Sequence, residues 1–119
     1  MGMPVVHFEI IGQDGAQLQT FYGALFGWKI DANNPMQYGL VAAEEKSIGG
    51  GIGAGEPGGK PYVTVYIAVE KIDPVLEHVT KLGGKVVMGR TVIPGMVIMA
   101  QFTDPSGNLI GLVENEMPA

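Results

Sequence analysis

Hydrophobic and polar positions along the chain follow two patterns, one typical of strands and one typical of helices. Residues 4–11 are mostly apolar and β-branched with polar residues at alternate positions, which predicts a strand with one polar face. The next apolar residues have helical spacing, and they predict a helix that starts after the N-cap Asp14 and ends at Gly27. Its apolar stripe is expected to cover one face of a sheet and consists of Leu18, Phe21, Tyr22 and Leu25.

The rest of the chain predicts more strands and a second helix. The strands are separated by turn residues and span residues 28–31, 37–43, 46–52, 62–69, 85–88, 96–103 and 109–114. The second helix is expected to have Asp73 as its N-cap and Pro74 at its first position, and to end at Gly83 and Gly84. The predicted order of elements is therefore βαβββ, followed by βαβββ again.

The two predicted halves also repeat each other in sequence. Residues 8–28 match residues 65–85 at an offset of 57 (65 minus 8), and this offset places Thr64 opposite His7. A fixed period of this size is typical of a duplicated unit. Because halves of this length would be marginal alone, we expect one α+β domain over residues 1–119 that contains two tandem βαβββ modules.

A segment rich in glycine and proline is predicted to join the two modules. Module one is expected at about residues 4–53, the linker at about 54–61 and module two at about 62–116. Residues 53–58 match the letters G-x-G-x-x-G of a dinucleotide-binding turn, but Pro57 and the following strand do not provide the helix that such a site needs. The segment is therefore interpreted as a flexible linker.

Composition and charge narrow the function. Hydrophobic residues make up 46% of the chain, which is enough for one core. Twelve acidic and seven basic residues give a net charge of -5, so nucleic acid and anionic membranes, which need a basic surface, are not expected partners. The absence of cysteine excludes disulfides and thiol chemistry. No signal peptide or long apolar run is recognisable, so we expect a cytoplasmic protein, and a native start after Met1 and Gly2 stays open.

Four ordered motifs cover nearly the whole chain. They are V-H-F-E-I at residues 6–10, F-Y-G-A-L-F-G-W at 21–28, the two ends of the second helix at 71–73 and 82–84, and F-T-D-P-S-G-N-L-I at 102–110. Together they resemble the vicinal oxygen chelate superfamily, which includes glyoxalase I, bleomycin resistance proteins and extradiol dioxygenases. The resemblance implies an eight-stranded, incompletely closed barrel in which two modules form a cup, with one helix per module outside and usually within a homodimer.

The resemblance also implies where a metal ion would bind. Metal-dependent members carry His or Glu ligands on the first and last strands of each module, and these positions correspond here to His7, Thr64, Gly51 and Gly111. Gly51 and Gly111 are paired by an offset of 60 (111 minus 51). Because one imidazole does not hold a catalytic divalent ion, we predict that the usual metal site is lost and that there is no cofactor. A weak divalent site formed by His7 and Glu9 stays open.

A candidate site for a small molecule follows from strand alternation. His7 and Glu9 are two residues apart on one strand, so both side chains project from the same face, and the carboxylate is expected to raise the pKa of the imidazole. The residues expected to contact a ligand are His7, Glu9, Tyr62, Thr64, Tyr66, Met99 and Gln101. His78 is expected to be a solvated or partly buried helix residue without a chemical role, and surface charge is expected at Glu44, Glu45, Glu114 and Glu116.

Three functional hypotheses follow. The first is a glyoxalase-like protein that binds a small, partly apolar molecule in a cup without the usual metal. The second is a divergent lyase, isomerase or dioxygenase that uses His7 and Glu9 as a reduced metal site or as an acid/base pair. The third is an interaction protein whose sheet edges mediate assembly only.

Overall fold

A computed structural model describes residues 2–114 of the 119-residue chain, so the predicted end of module two at residue 116, and Glu116, lie outside the described residues. The elements are β1 (Val5–Gly12), α1 (Gly15–Phe26), β2 (Ile30–Asp31), β3 (Gly39–Val41), β4 (Gly49–Ala54), β5 (Tyr62–Val69), α2 (Ile72–Lys81), β6 (Lys85–Ile93), β7 (Val97–Thr103) and β8 (Leu109–Glu114). This order confirms the α+β fold with two tandem βαβββ modules. Within the described part of the chain, no helix is long and apolar enough to cross a membrane.

The chain forms two compact units. Module one, as the structure defines it, contains residues 7–64. Module two contains residues 65–114 together with the N-terminal residues 2–6. The N-terminal segment belongs to module two through its backbone, since the amide of Ala68 donates a hydrogen bond to the carbonyl of Pro4 at 2.9 Å.

The two modules have the same strand topology. In module one the strand order is β2-β3-β4-β1, with β1 parallel to β4 and the other pairs antiparallel. In module two the order is β5-β8-β7-β6, with β5 parallel to β8 and the other pairs antiparallel. Each module therefore places its first strand beside its last strand, which is the arrangement that positions the candidate site.

Strand register confirms both offsets of the sequence repeat. Glu9 pairs with Gly51 in module one, and Tyr66 pairs with Gly111 in module two. The residue numbers differ by 57 on the first strands (66 minus 9) and by 60 on the last strands (111 minus 51). Gly51 and Gly111 therefore occupy equivalent positions, and Tyr66 is the equivalent of Glu9.

Helix α1 has the predicted ends. The Asp14 carboxylate accepts a hydrogen bond from the amide of Gln17 at 3.0 Å, and Gly27 ends the helix in the left-handed conformation with φ of 70°. Its predicted packing face is wrong in part, because Phe21 is 56% exposed and Leu25 is 58% exposed.

Small and polar residues bring α1 against strand β4 instead. A Cβ atom on Gly15 would lie 2.8 Å from the backbone nitrogen of Ala54, so the helix and strand approach too closely for a side chain there. One turn later, the Gln19 amide donates a hydrogen bond of 2.8 Å to the carbonyl of Ile52. The close approach and this hydrogen bond turn the Phe21 and Leu25 side of the helix outward.

Helix α2 begins two residues earlier than predicted, with Lys71 rather than Asp73 at the N-cap. Glu114 provides the reason, because its carboxylate accepts a hydrogen bond from the amide of Ile72 at 2.9 Å and another from Arg90 at 2.9 Å. The prediction of Glu114 as surface charge is wrong, since the residue is only 6% exposed. The Arg90 side chain and the Ile72 amide lower the pKa of this carboxyl.

The core of module two lies between α2 and the sheet. Its buried residues are Val69, Ile72, Leu76, Ile98, Ala100 and Leu112. Ile98 and Ala100 point into this core, so Met99 and Gln101 project from the opposite face of β7, as predicted. The described strand β6 is longer than predicted and extends to Ile93, with irregular register against β7.

The segment between the modules is tied to the end of β1. Residues 53 and 54 belong to β4, and one side chain then holds the turn that follows. Gln13 donates hydrogen bonds to the carbonyls of Glu56 and Gly59 at 3.2 and 2.6 Å, and accepts one from the amide of Gly58 at 3.2 Å. The Gln13 side chain thus fixes the path of the linker.

Candidate functional site

Three polar side chains of module one meet on the face of β1 opposite to α1. The hydroxyl oxygen of Tyr38 lies 2.8 Å from Oε2 of Glu9 and 2.9 Å from Nε2 of His7. His7 is half-buried and Glu9 is 8% exposed. The structure therefore confirms that His7 and Glu9 share one face, and it adds Tyr38 as the group that joins them. We call these three residues the His7–Tyr38–Glu9 cluster.

Hydrogen-bond geometry assigns the proton positions in this cluster. A phenol has one proton, and Tyr38 donates it to the Glu9 carboxylate. The contact with His7 is then a hydrogen bond in which the Nε2–H group donates to the Tyr38 oxygen. A neutral His7 therefore carries its proton on Nε2 and its lone pair on Nδ1.

A short turn before β3 places Tyr38 over the sheet. The side chain of Asn34 pairs with the Tyr38 backbone, because its amide donates to the Tyr38 carbonyl at 2.7 Å and its oxygen accepts from the Tyr38 amide at 3.0 Å. Gln37 adopts the left-handed conformation with φ of 53°, which asparagine, aspartate or glycine would adopt more readily. The turn fixes the ring position independently of the strand pattern.

Gly51 provides the space that the Tyr38 ring occupies. Gly51 is buried, and it is paired with Glu9 across the parallel strands. A Cβ atom at this position would come closer than 3.0 Å to Cζ, Oη and Cε2 of Tyr38, a separation that real Cβ atoms do not show. The glycine is therefore required for the ring to reach His7 and Glu9.

Two residues of strand β5 extend the site in module one. The Tyr62 hydroxyl lies 3.5 Å from Oε1 of Glu9, a long hydrogen bond, and the Tyr62 side chain is half-buried. Thr64 is two residues further along the strand and is only 4% exposed. Of the predicted contact residues in this module, the structure thus brings Tyr62 to Glu9 and buries Thr64.

Module two contains the remaining predicted contact residues. The Gln101 amide donates a hydrogen bond of 3.0 Å to the hydroxyl of Tyr66, and both residues are buried. Met99 is half-buried on the same face of β7, two residues from Gln101. The structure brings Tyr66 and Gln101 together, whereas the role of all three residues in ligand binding stays a prediction.

Module one also has two open cavities on the helix face of its sheet, with volumes of about 620 and 550 Å³. The first contains Leu18 and Tyr22 of α1, and the second contains Phe8 and Trp28. Ile10 lines both cavities, and it projects from β1 on the side opposite to Glu9. The three cluster residues line neither cavity, whereas Tyr62, which contacts Glu9, lines the first one.

Burial changes the protonation of His7. It lowers the pKa of the imidazole below its ordinary value of 6.5, because the charged form loses hydration inside the protein. The net direction is therefore opposite to the increase that the Glu9 carboxylate alone was expected to cause. Tyr38 stands between the two groups and mediates their interaction. At neutral pH the site presents a neutral imidazole.

Acidification is expected to destabilise the wild-type protein more than a His7→Gln variant. Because the folded-state pKa of His7 lies below 6.5, the unfolded chain binds the proton more tightly. The contribution of neutral His7 to the free energy of unfolding is thus fully present above pH 6.5 and decreases as the pH falls toward the folded-state pKa. Urea titrations between pH 8 and pH 5 measure this, with the exposed His78→Gln as control. Identical pH profiles for wild type and His7→Gln would contradict the assignment.

The side chains at the position of the family's metal site do not provide a ligand set. The last-strand positions are Gly51 and Gly111, and a tyrosine ring covers each of them. Among residues 2–114, no group of three His, Cys, Asp or Glu side chains is arranged to hold a metal ion. His7 and Glu9 instead share hydrogen bonds with the Tyr38 phenol.

Tyr38 is the site residue that strand alternation in the sequence did not identify. It precedes β3, and a turn rather than a strand pattern determines its direction. One signal was present, because Gly49, Gly50 and Gly51 are consecutive in β4, and glycine inside a strand often marks the close approach of another group. The glycines indicate that something packs there but do not identify it.

Two curated proteins are similar to this chain in sequence. It is 34% identical over 106 residues to "Putative glyoxylase CFP32" of Mycobacterium tuberculosis and of Mycobacterium bovis. The matched segment is 83% of this chain and 41% of each relative. The chain thus spans less than half the length of the curated relatives it matches.

Solved structures share the fold at low sequence identity. A glyoxalase/bleomycin resistance protein/dioxygenase superfamily member from Vibrio splendidus matches with a TM-score of 0.62 and 16% identity, over 96% of this chain and all of that one. The Mn(II)-bound glyoxalase from Novosphingobium aromaticivorans matches with a TM-score of 0.66 and 17% identity, over 97% of this chain and 40% of that one.

These matches show the fold, and the family follows from the sequence. The sequence pattern of one superfamily matches residues 5–112, which include both βαβββ modules almost completely. The resemblance seen in the four motifs is thereby confirmed. The chain belongs to the Glyoxalase/Bleomycin resistance protein/Dioxygenase superfamily.

Proposed function

We propose that the protein binds a small, partly apolar molecule at the His7–Tyr38–Glu9 cluster and needs no metal ion to do so. The observation that carries this proposal is the Tyr38 hydroxyl, which lies within hydrogen-bond distance of both His7 and Glu9 on a half-buried face. Binding sites commonly combine a few converging polar groups with apolar walls. Here the polar groups come from the cluster, and the walls come from its aromatic rings.

The cluster offers a ligand oxygen atoms that accept hydrogen bonds. The Glu9 carboxylate and the phenol oxygens of Tyr38 and Tyr62 are acceptors, and both phenols donate their protons to Glu9. The rings of His7 and Tyr38 are nearly parallel, with an interplanar angle of 20° and centroids 6.2 Å apart, and they meet edge to edge through the hydrogen bond, so they form a flat surface against which an apolar group can pack. Such a surface favours a planar ligand with a polar substituent.

The metal-free part of the proposal rests on the covered glycines. Because Gly51 and Gly111 have no side chains and tyrosine rings fill the space beside them, the last strands supply no carboxylate ligands. The name of the Novosphingobium protein states that it binds Mn(II), but at 17% identity the match carries the fold alone. The Mn(II) ion is therefore a property of that protein, and no metal ion is inferred from it for this chain.

A second candidate function is metal-free proton transfer, which the direction of the hydrogen bonds favours. If Nδ1 of His7 takes a proton from a substrate, the imidazolium donates through Nε2 to Tyr38, which donates to Glu9. The carboxylate then stabilises the positive charge through the phenol. An enzyme of this type should lose turnover far more than affinity on His7→Ala, whereas a binding protein should lose affinity alone.

A fragment screen by NMR on metal-free protein tests the binding proposal. In the presence of EDTA, planar fragments with one polar substituent are expected to shift the resonances of His7 and Tyr38, which line neither of the two cavities beside α1. Tyr38→Phe should weaken the binding of these fragments, because it removes the hydroxyl that connects His7 to Glu9. Tyr22→Phe is the matched control, since Tyr22 lies on α1 on the other face of the sheet.

Two outcomes would contradict the proposal. One is a screen in which fragments shift only residues on the helix face, such as Ile10 and Trp28, because ligands would then use the cavities beside α1. The other is fragment binding at His7 that appears only after a divalent ion is added.

A further inference from the structure

The two equivalent glycines are covered by tyrosines from different places in the chain. In module one, the ring over Gly51 belongs to Tyr38, which precedes β3. In module two, the ring over Gly111 belongs to Tyr66, which lies on the first strand β5. Tyr66 is the repeat equivalent of Glu9 and not of Tyr38, because 66 minus 9 is the repeat offset of 57. The same space is therefore filled in each module by a tyrosine at a non-equivalent position.

Both tyrosine rings are held in place over their glycines. In both modules a Cβ atom on the glycine would come closer than 3.0 Å to several ring atoms. Each phenol oxygen is also fixed by a hydrogen bond, from Tyr38 to Glu9 in module one and from Gln101 to Tyr66 in module two. Ring and glycine are therefore coupled in each module, since a side chain at the glycine position requires the tyrosine to move.

We propose that Tyr38 excludes divalent metal ions from the site because its ring occupies the space of a residue-51 side chain. Its hydroxyl then connects His7 to Glu9 by hydrogen bonds, in the place where a metal ion would otherwise connect them. Register supports this, because position 51 is directly opposite Glu9 and therefore faces the same side as His7. The inference goes beyond the proposed function, because it assigns Tyr38 a role in choosing between hydrogen bonding and metal coordination.

The proposal predicts that a metal site returns only when two residues change together. Tyr38→Ala removes the ring and Gly51→Glu adds a carboxylate, so His7, Glu9 and residue 51 can act as three ligands from two adjacent strands. Isothermal titration with Mn²⁺, Zn²⁺ and Ni²⁺ measures the gain. The double variant is expected to bind one ion per chain about 10-fold or more tightly than either single variant.

Matched variants identify the groups that are responsible. Tyr38→Phe with Gly51→Glu keeps the ring and is expected to bind no better than Gly51→Glu alone. Tyr38→Ala with Gly51→Gln opens the space without adding a carboxylate and is expected to gain nothing over Tyr38→Ala. Adding His7→Ala to the metal-binding double variant should abolish the gain, because one of the three ligands is then missing.

Three results would overturn the proposal. The first is that Gly51→Glu alone binds metal as tightly as the double variant, because Tyr38 would then exclude nothing. The second is that Tyr38→Ala alone does so, because position 51 would then be irrelevant. The third is a folded double variant, shown by its NMR spectrum, that gains no affinity. This third result would leave the proposed small-molecule binding intact, whereas tight metal binding by the wild-type protein would contradict both.

A smaller substitution tests the coupling if the double variant does not fold. Gly51→Ala adds only a Cβ atom, which should displace the Tyr38 ring and break its contact with His7. The His7 ring resonances and their pH titration are expected to change with Gly51→Ala. Gly89→Ala, where no heavy atom lies within 4 Å of the added Cβ, should leave both unchanged. Unaltered His7 resonances in Gly51→Ala would overturn the proposal.

Discussion

Replacing Gly111 with alanine is expected to lower the free energy of unfolding by about 3 kcal/mol. The added Cβ atom would overlap the ring of Tyr66, which is only 4% exposed and is held by the hydrogen bond from Gln101. Backbone strain plays no part, because Gly111 is in an ordinary strand conformation. Urea denaturation followed by circular dichroism measures the loss.

The matched control is Gly89→Ala in strand β6 of the same module. An alanine Cβ at this exposed position has no heavy atom within 4 Å, so the free energy of unfolding should change by less than about 0.5 kcal/mol. The double variant Gly111→Ala with Tyr66→Leu should lose less free energy of unfolding than the two single variants lose together. The reason is that the leucine side chain does not reach as far over the strand as the tyrosine ring. Equal losses for Gly111→Ala and Gly89→Ala would show that the Tyr66 ring is not fixed over the glycine.

Replacing His7 with alanine is expected to lower the affinity of fragments for the His7–Tyr38–Glu9 cluster by about 10- to 100-fold. The change removes the imidazole ring that lies beside the Tyr38 ring, and it removes the donor to the Tyr38 hydroxyl. The hydroxyl then loses one of the contacts that fix it, while its hydrogen bond to Glu9 stays. Isothermal titration of the strongest fragment from the NMR screen measures the loss.

The second histidine provides the control for this prediction. His78 lies on α2 and is exposed, so His78→Ala should leave fragment affinity unchanged within error. Both variants remove one imidazole from the chain, and they differ only in its position. If the two variants lose affinity equally, or if neither does, His7 does not contact the ligand and the assignment of the cluster as a binding site is wrong.

Much of the fold was predictable because it depends on local patterns. Asp14 and Gly27 mark the ends of α1 through residues within a few positions of them, and both offsets of the repeat agree with the observed strand register. Alternation also placed His7 and Glu9 on one face. These features need only the periodicity of a helix or a strand, which the sequence carries directly.

The errors come from contacts between residues far apart in the chain. Glu114 was predicted at the surface, yet it caps α2 through Ile72 and pairs with Arg90, which are 42 and 24 residues away. Phe21 was predicted to face the sheet, but the close approach at Gly15 turns the helix and leaves Phe21 exposed. Local periodicity cannot anticipate such contacts, because they depend on how elements pack.

The candidate site also contains residues that local patterns identify and residues that depend on other contacts. His7 and Glu9 could be identified from a strand pattern, but Tyr38 could not, because its direction depends on the Asn34 side chain and on the left-handed conformation of Gln37. The role of Gly51 was predicted only as the absence of a ligand. The structure gives this absence a cause, since the glycine leaves room for the tyrosine ring.

The most direct test of the account is the metal dependence of ligand binding in the wild-type protein. Metal content is measured by mass spectrometry after purification without chelator, and fragment affinity is measured by isothermal titration with and without EDTA. The account predicts far less than one divalent ion per chain and the same fragment affinity in both conditions. One Mn, Fe, Ni or Zn ion per chain that is lost on His7→Ala, together with fragment binding that EDTA abolishes, would contradict it.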